Sequence, residues 1–90
     1  FIRNYMPRDF TDYYGILGVP PWASKRKIHK AYVDKSRKYH PDLVAAGEEK
    51  ERNLEMMKII NRAKTVLLNR KNREEYDKER SLYLLAGREA

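Results

Sequence analysis

The chain lacks cysteine, long apolar runs and the usual signatures of catalysis. Without cysteine among its 90 residues it can form neither a disulfide framework nor a thiolate metal site, and two histidines alone do not make a zinc-binding set. No apolar run approaches the length that spans a membrane. There is no glycine-rich phosphate loop and no Ser-His-Asp candidate set. We therefore expect no enzymatic activity, no cofactor and no metal.

Positive charge is the dominant feature of what is present. The chain has 20 Lys and Arg residues against 13 Asp and Glu residues, which gives a formal net charge of +7. This excess favours an acidic partner, whether nucleic acid, an anionic lipid surface or an acidic protein, and charge alone does not choose among them. Length and composition predict one soluble domain with a small core and modest stability. The compartment is left open, with the cytoplasm as the first expectation.

The segment Lys38–Asp42, with the sequence KYHPD, separates two helical patterns. Pro41 has a fixed φ and no N–H, so it cannot lie inside a helix, and it pushes His40 out of the α region. The preceding helix should therefore end at or near Tyr39. The loop should present an imidazole and a carboxylate to a partner. The alternative is an ordinary loop between helices, with Asp42 as the N-cap of a local turn.

Long helices are predicted on both sides of this loop. The first covers about residues 25–39 after Ser24 as N-cap, and the stem of Lys35 completes its apolar stripe. The other members of that stripe are Ile28, Ala31, Tyr32 and Tyr39. The second covers about residues 48–68, with Lys64 exposed. Its predicted core face is Leu54, Met57, Ile60, Ala63 and Leu67. Antiparallel packing of the two helices gives a finger with the loop at its tip.

A short first helix is predicted between Asp12 as N-cap and Gly18 as its end. Its expected core residues are Tyr14, Ile16 and Leu17. After the central loop, Leu43 and Val44 either pack back onto the helices or contact a partner. Packing back is the favoured expectation.

A last helix is predicted from about Glu74 to Ala86, with Gly87 ending it. Tyr76 should dock on the core, and Asp77 should hold nearby cations or backbone donors. Three leucines near the end either cover the long helices or dock on the remainder of a larger parent protein: Leu82, Leu84 and Leu85. The expected organisation is an N-terminal arm over residues 1–11, a domain over 12–80 and an extension of the last helix over 81–90. Because the chain starts at Phe1, we expect it to be a piece of a longer protein.

Taken together, these motifs resemble the J domain of DnaJ-type co-chaperones. The matching features are DYYGILGV at the first helix, Ala31-Tyr32 in the second, HPD in the loop and KNREEYD in the last helix. The resemblance implies an all-α J-domain fold that binds a DnaK-type chaperone. The residues that it places at the chaperone are His40, Pro41, Asp42, Tyr32, His29, Lys30, Arg26, Arg37 and Lys38. Relatives usually have basic residues where this chain has Val33 and Asp34, and commonly Lys where it has Leu43.

Two hypotheses about function follow. In the first, the HPD loop and the basic second helix bind the chaperone ATPase and stimulate its ATP hydrolysis. In the second, a J-like basic module binds nucleic acid or scaffolds a complex, which the departures at Val33, Asp34 and Leu43 support mildly. Acidic residues spread along the third and fourth helices argue against nucleic acid. The intact HPD is a separate argument, and it favours the first hypothesis.

Overall fold

Four α-helices and one 3-10 turn form the part of the chain that the computed structural model describes, residues 10–89, with side chains for residues 10–86. The elements are α1 (Tyr13–Leu17), α2 (Lys25–Tyr39), the 3-10 turn (Pro41–Leu43), α3 (Glu48–Leu67) and α4 (Arg70–Glu89). No strand occurs between residues 10 and 89, so the expected all-α class is confirmed. The short loop after α2 reverses the chain, and α3 packs back along α2 as the predicted finger.

Local chemistry sets both ends of α2 and the end of α1 as expected. Asp12 lies at the predicted N-cap position of α1, but its side chain makes no capping hydrogen bond. The Ser24 side chain accepts a hydrogen bond from the N–H of Lys27 at 3.2 Å, which caps α2. At its other end, Pro41 keeps His40 in an extended conformation with ψ near 129°, so α2 ends at Tyr39. Gly18 ends α1 at a φ of 73°, a left-handed conformation that suits glycine.

The bounds predicted for the last helix are wrong at both ends. It begins at Arg70 because the side chain of Asn69 accepts a hydrogen bond from the N–H of Asn72 at 2.9 Å, which is the geometry of an N-cap. It also continues through Gly87 to Glu89. One glycine costs a helix only about 1 kcal/mol, which is not enough to end a helix of 20 residues.

The core lies where α1, α3 and α4 meet the first half of α2. Its buried members are Tyr14, Leu17, Ala23, Ile28, Ile60, Ala63, Leu67 and Tyr76. Three of the core residues predicted on α1 and α3 are not buried: Ile16 and Met57 are half-buried, and Leu54 is 44% exposed. At 100° per residue, Leu54 lies about 120° around α3 from Ile60, and the half-buried Asn53 takes the inward position.

Two lysines lie at the edge of this core. The half-buried Lys35 passes beside Gly18, as expected for a stem that covers apolar surface. Lys64 was predicted to be exposed, but it is half-buried and its Nζ lies 4.6 Å from the centre of the Tyr32 ring. The attraction between an ammonium and an aromatic face explains this position.

Residues in the first part of α4 form hydrogen bonds to α1 and to the loop before α2. Arg73 donates hydrogen bonds to the Tyr14 hydroxyl and to the carbonyls of Pro21 and Ala23. Asp77 accepts a hydrogen bond from Tyr14, so its partner is a hydroxyl and not the cation or backbone donor expected. Burial, followed by the hydrogen bond to Asp77, raises the pKa of Tyr14.

Aromatic rings extend this packing to both ends of the described chain. The Phe10 ring stacks on Tyr76 and Tyr83 with centroid distances of 5.6 Å and 4.5 Å. The rest of the predicted N-terminal arm, residues 1–9, lies outside the described residues. The three leucines near the end of α4 are 44–52% exposed, so they do not cover the long helices.

High pH should destabilise the domain through Tyr76. Its hydroxyl donates to the Thr11 carbonyl at 2.7 Å and accepts the N–H of Tyr13 at 2.9 Å, and burial raises its pKa from 10.0 to about 12. Because the folded state holds this proton more tightly, the stabilisation is complete below pH 10 and is lost as the pH rises through 12. Urea unfolding at a series of pH values should show that fall. In Tyr76→Phe the free energy of unfolding should fall less steeply above pH 10. An equally steep fall would show that Tyr76 is not the group responsible.

Candidate functional site

The loop at the tip of the finger is a well-defined turn. The N–H of Leu43 donates to the carbonyl of His40 at 3.0 Å, and the N–H of Val44 donates to that of Pro41 at 3.3 Å. His40 also caps the turn, because its Nδ1 accepts the N–H of Asp42 at 3.2 Å. The alternative in which Asp42 caps a local turn is therefore wrong. The capping group is the imidazole, and the carboxylate stays available.

This cap decides which ring nitrogen of His40 carries a proton. An Nδ1 that accepts the N–H of Asp42 is unprotonated, so the proton of the neutral ring lies on Nε2. Nδ1 also lies 3.7 Å from the Asp42 carboxylate, but in this state the contact is not an ion pair. The Asp42 side chain is 86% exposed and that of His40 is 55% exposed. The turn thus offers a partner an N–H donor and a carboxylate.

Leu43 was predicted to pack back onto the helices, and this prediction is wrong. It is 62% exposed, whereas Val44 is half-buried. With three residues per turn, the side chains of the 3-10 turn point about 120° apart, so only one of them can face inward. Pro41 is the half-buried one, and Asp42 and Leu43 point into solvent.

The outer face of α2 forms a shallow basic groove. Its lining residues are Arg26, Lys27, His29, Lys30, Val33, Asp34 and Arg37. Four of the predicted site residues are brought together here, and all four are exposed: Arg26, His29, Lys30 and Arg37. Lys38 is exposed outside the groove, with its Nζ 5.3 Å from the Tyr39 ring centre. Asp34 forms no ion pair with any side chain in residues 10–86, so it opposes the basic character of the groove.

Tyr32 links this groove to α3. Its hydroxyl donates to the Asn61 side chain at 3.1 Å, Lys64 lies over its ring, and its centroid is 6.4 Å from that of His29. Asn61 is a contact residue that the sequence did not predict. Its spacing of three residues from Lys64 on α3 was the available signal, because residues three apart share a helix face.

The site has the chemistry of a binding surface. Cations lie along α2, and a carboxylate with a histidine N–H lies at the tip, all open to solvent. Among the described residues, no group of three or more His, Cys, Asp or Glu side chains could hold a metal ion. None of the described helices is both long enough and apolar enough to cross a membrane.

Comparison with known proteins gives a consistent set of similarities. The sequence model of the DnaJ domain family matches residues 12–77. The chaperone protein DnaJ 1 of Streptomyces avermitilis is 40% identical over 78 residues, which are 84% of this chain and 19% of that protein. The J protein JJJ2 of Vanderwaltozyma polyspora is 36% identical over 72 residues, which are 80% of this chain and 13% of that protein. A curved DNA-binding protein of Pseudomonas putida is 45% identical over 73 residues, which are 80% of this chain and 22% of that protein. The chain thus spans less than a quarter of each of these relatives.

Proposed function

Because the chain belongs to the DnaJ domain family, we propose that it binds a DnaK-type chaperone, the seventy-kilodalton heat-shock ATPase, and stimulates its ATP hydrolysis. The observation that carries this proposal is the turn at the tip of the finger. The turn holds His40 and Asp42 in a defined geometry, leaves the carboxylate open to solvent and lies at the end of the basic groove.

The two parts of the surface have different tasks. The cations of the groove attract an acidic surface of the chaperone, which raises the association rate and makes binding sensitive to salt. Asp42 pairs with a chaperone cation, and the N–H at Nε2 of His40 donates to a neighbouring acceptor. If these contacts are stronger in the hydrolysis-competent state of the chaperone, binding shifts the chaperone toward that state. The domain itself needs no catalytic group for this.

Single-turnover ATP hydrolysis by a DnaK-type chaperone, with and without this domain, tests the proposal. We expect the rate to rise with domain concentration until it saturates. The concentration for half-saturation should increase with salt, whereas the maximal rate should change less, because salt screens the attraction and not the contacts at the tip. Absence of stimulation with several chaperones at saturating concentration would refute the proposal.

Nucleic-acid binding or scaffolding is the second candidate. The net charge of +7 and the similarity to a relative named as a curved DNA-binding protein favour it. Acidic side chains on the outer surfaces of α3 and α4 oppose it. Salt-dependent binding to DNA or RNA, combined with no stimulation of any chaperone, would make it the better candidate.

A further inference from the structure

Trp22 is the most exposed large apolar side chain in the described chain, at 83%. It occupies a tight turn in which the N–H of Ala23 donates to the carbonyl of Pro20 at 3.0 Å. The guanidinium of Arg73 holds both flanking carbonyls, that of Pro21 at 3.0 Å and that of Ala23 at 2.8 Å. The backbone on both sides of Trp22 is thus fixed while its indole ring lies in water.

Five cations lie on the two helix ends next to the turn of Trp22, at the end of the finger that is opposite the tip. Lys25, Arg26 and Lys27 form the first turn of α2, directly after the turn that carries Trp22. Arg70 and Lys71 begin α4, in the same turn of helix as the Arg73 that holds the Trp22 turn. We call these five cations and Trp22 the basal patch. All six side chains are exposed.

Two features of the basal patch do not help the fold. Cations in the first turn of a helix oppose its dipole, and α2 has three there with no acidic residue. Among residues 10–86, no carboxylate pairs with any of these three side chains. The indole of Trp22 likewise gains nothing from burial. A partner that takes up an aromatic ring and neutralises cations would compensate for both features.

We propose that the basal patch binds the surface of a bilayer that contains anionic lipids. Tryptophan suits the boundary between headgroups and acyl chains, and each Lys or Arg near an anionic membrane strengthens binding roughly fivefold. A nucleic acid fits less well, because single strands are bound by several stacking rings along a charged track, and this patch has one ring. The basal patch and the tip lie at opposite ends of α2, whose 15 residues span about 22 Å. Arg26 and Lys27 belong both to the basal patch and to the groove, so a domain bound in this way leaves the tip and the rest of the groove accessible to a chaperone.

The experiment uses Trp22 itself, because it is the only tryptophan in the chain. Its fluorescence is followed while the chain is titrated with vesicles of phosphatidylcholine containing one quarter phosphatidylserine, and with vesicles of phosphatidylcholine alone. We expect a blue shift with the anionic vesicles, weakened by salt, and no shift with the neutral ones. A parallel titration uses single-stranded RNA.

A matched pair of variants separates the basal patch from general charge. Arg70→Ala with Lys71→Ala should weaken binding to anionic vesicles about 25-fold, as two cations at roughly fivefold each. Arg52→Ala with Lys58→Ala removes the same charge from exposed positions on α3, and it should weaken binding less than about threefold because those positions lie farther from the surface. Both variants should still stimulate a chaperone, which shows that they are folded.

Three results would overturn the proposal. One is an equal loss of vesicle binding in the two variants. Another is vesicle binding without any change in Trp22 fluorescence. The third is quenching of Trp22 by RNA in the absence of vesicle binding, which would assign the basal patch to nucleic acid.

Discussion

Asp42→Asn is expected to abolish the stimulation of chaperone ATP hydrolysis while the fold stays unchanged. Asn has nearly the same shape, and the cap of the turn uses the backbone N–H of residue 42 and not its carboxylate. What disappears is one negative charge that is 86% exposed in the free domain. Removing one partner of a charge pair at an interface costs about 2 kcal/mol or more of binding free energy. This corresponds to a loss of roughly 30-fold or more in the population of the productive complex. Single-turnover hydrolysis measures the effect.

Asp34→Asn is the matched control for Asp42→Asn. It makes the same chemical change at another exposed carboxylate, within the basic groove of α2. Because Asp34 opposes an acidic partner, we expect its removal to leave the maximal stimulation unchanged and to lower the concentration for half-saturation. Full stimulation by a folded Asp42→Asn variant would contradict the proposed mechanism.

Arg73→Ala is expected to lower the free energy of unfolding by about 3 kcal/mol. The guanidinium donates to the Pro21 and Ala23 carbonyls and, at 3.1 Å, to the Tyr14 hydroxyl. Hydrogen bonds of charged groups contribute about 1.5–3 kcal/mol each and are not additive, and truncation leaves three acceptors without this donor. Urea unfolding followed by helical circular dichroism measures the change.

Arg70→Ala tests whether this effect belongs to the position of Arg73. Arg70 is in the same turn of α4, but its side chain is 87% exposed, and within residues 10–86 it pairs with Glu74 alone, at 3.5 Å. Exposed ion pairs contribute about 0–1 kcal/mol, so the change in unfolding free energy should not exceed about 1 kcal/mol. A similar loss of unfolding free energy in the two variants would show that the hydrogen bonds of Arg73 do not stabilise the domain. Arg73→Lys should recover only part of the loss, because an ammonium lacks the forked donors.

The bounds of α2 follow closely from the sequence. Ser24 caps the helix and Pro41 stops it, and both effects act within a few residues of the chain. The same logic also accounts for the start of α4 at Arg70, four residues before the predicted Glu74, because Asn69 is itself a good N-cap.

Other errors concern side chains whose surroundings come from distant parts of the chain. Leu54 was assigned to the core from its spacing, but whether a position faces inward depends on where α2 crosses α3. Leu43 was expected to pack, and the 3-10 turn directs it outward. Lys64 was expected in solvent, and the Tyr32 ring of the neighbouring helix holds it.

The sequence alone predicts the helical class, the ends of α2, the HPD loop between two long helices and the basic character of the groove. These depend on backbone preferences, periodicity and charge, which act over one or two turns of helix. Two contacts are known only from the folded protein: Arg73 holds the turn of Trp22, and Tyr14 bonds to Asp77, 63 residues away in the chain. Such contacts depend on how four helices pack together, because a side chain finds its partner only after the backbone has placed both groups within hydrogen-bonding distance.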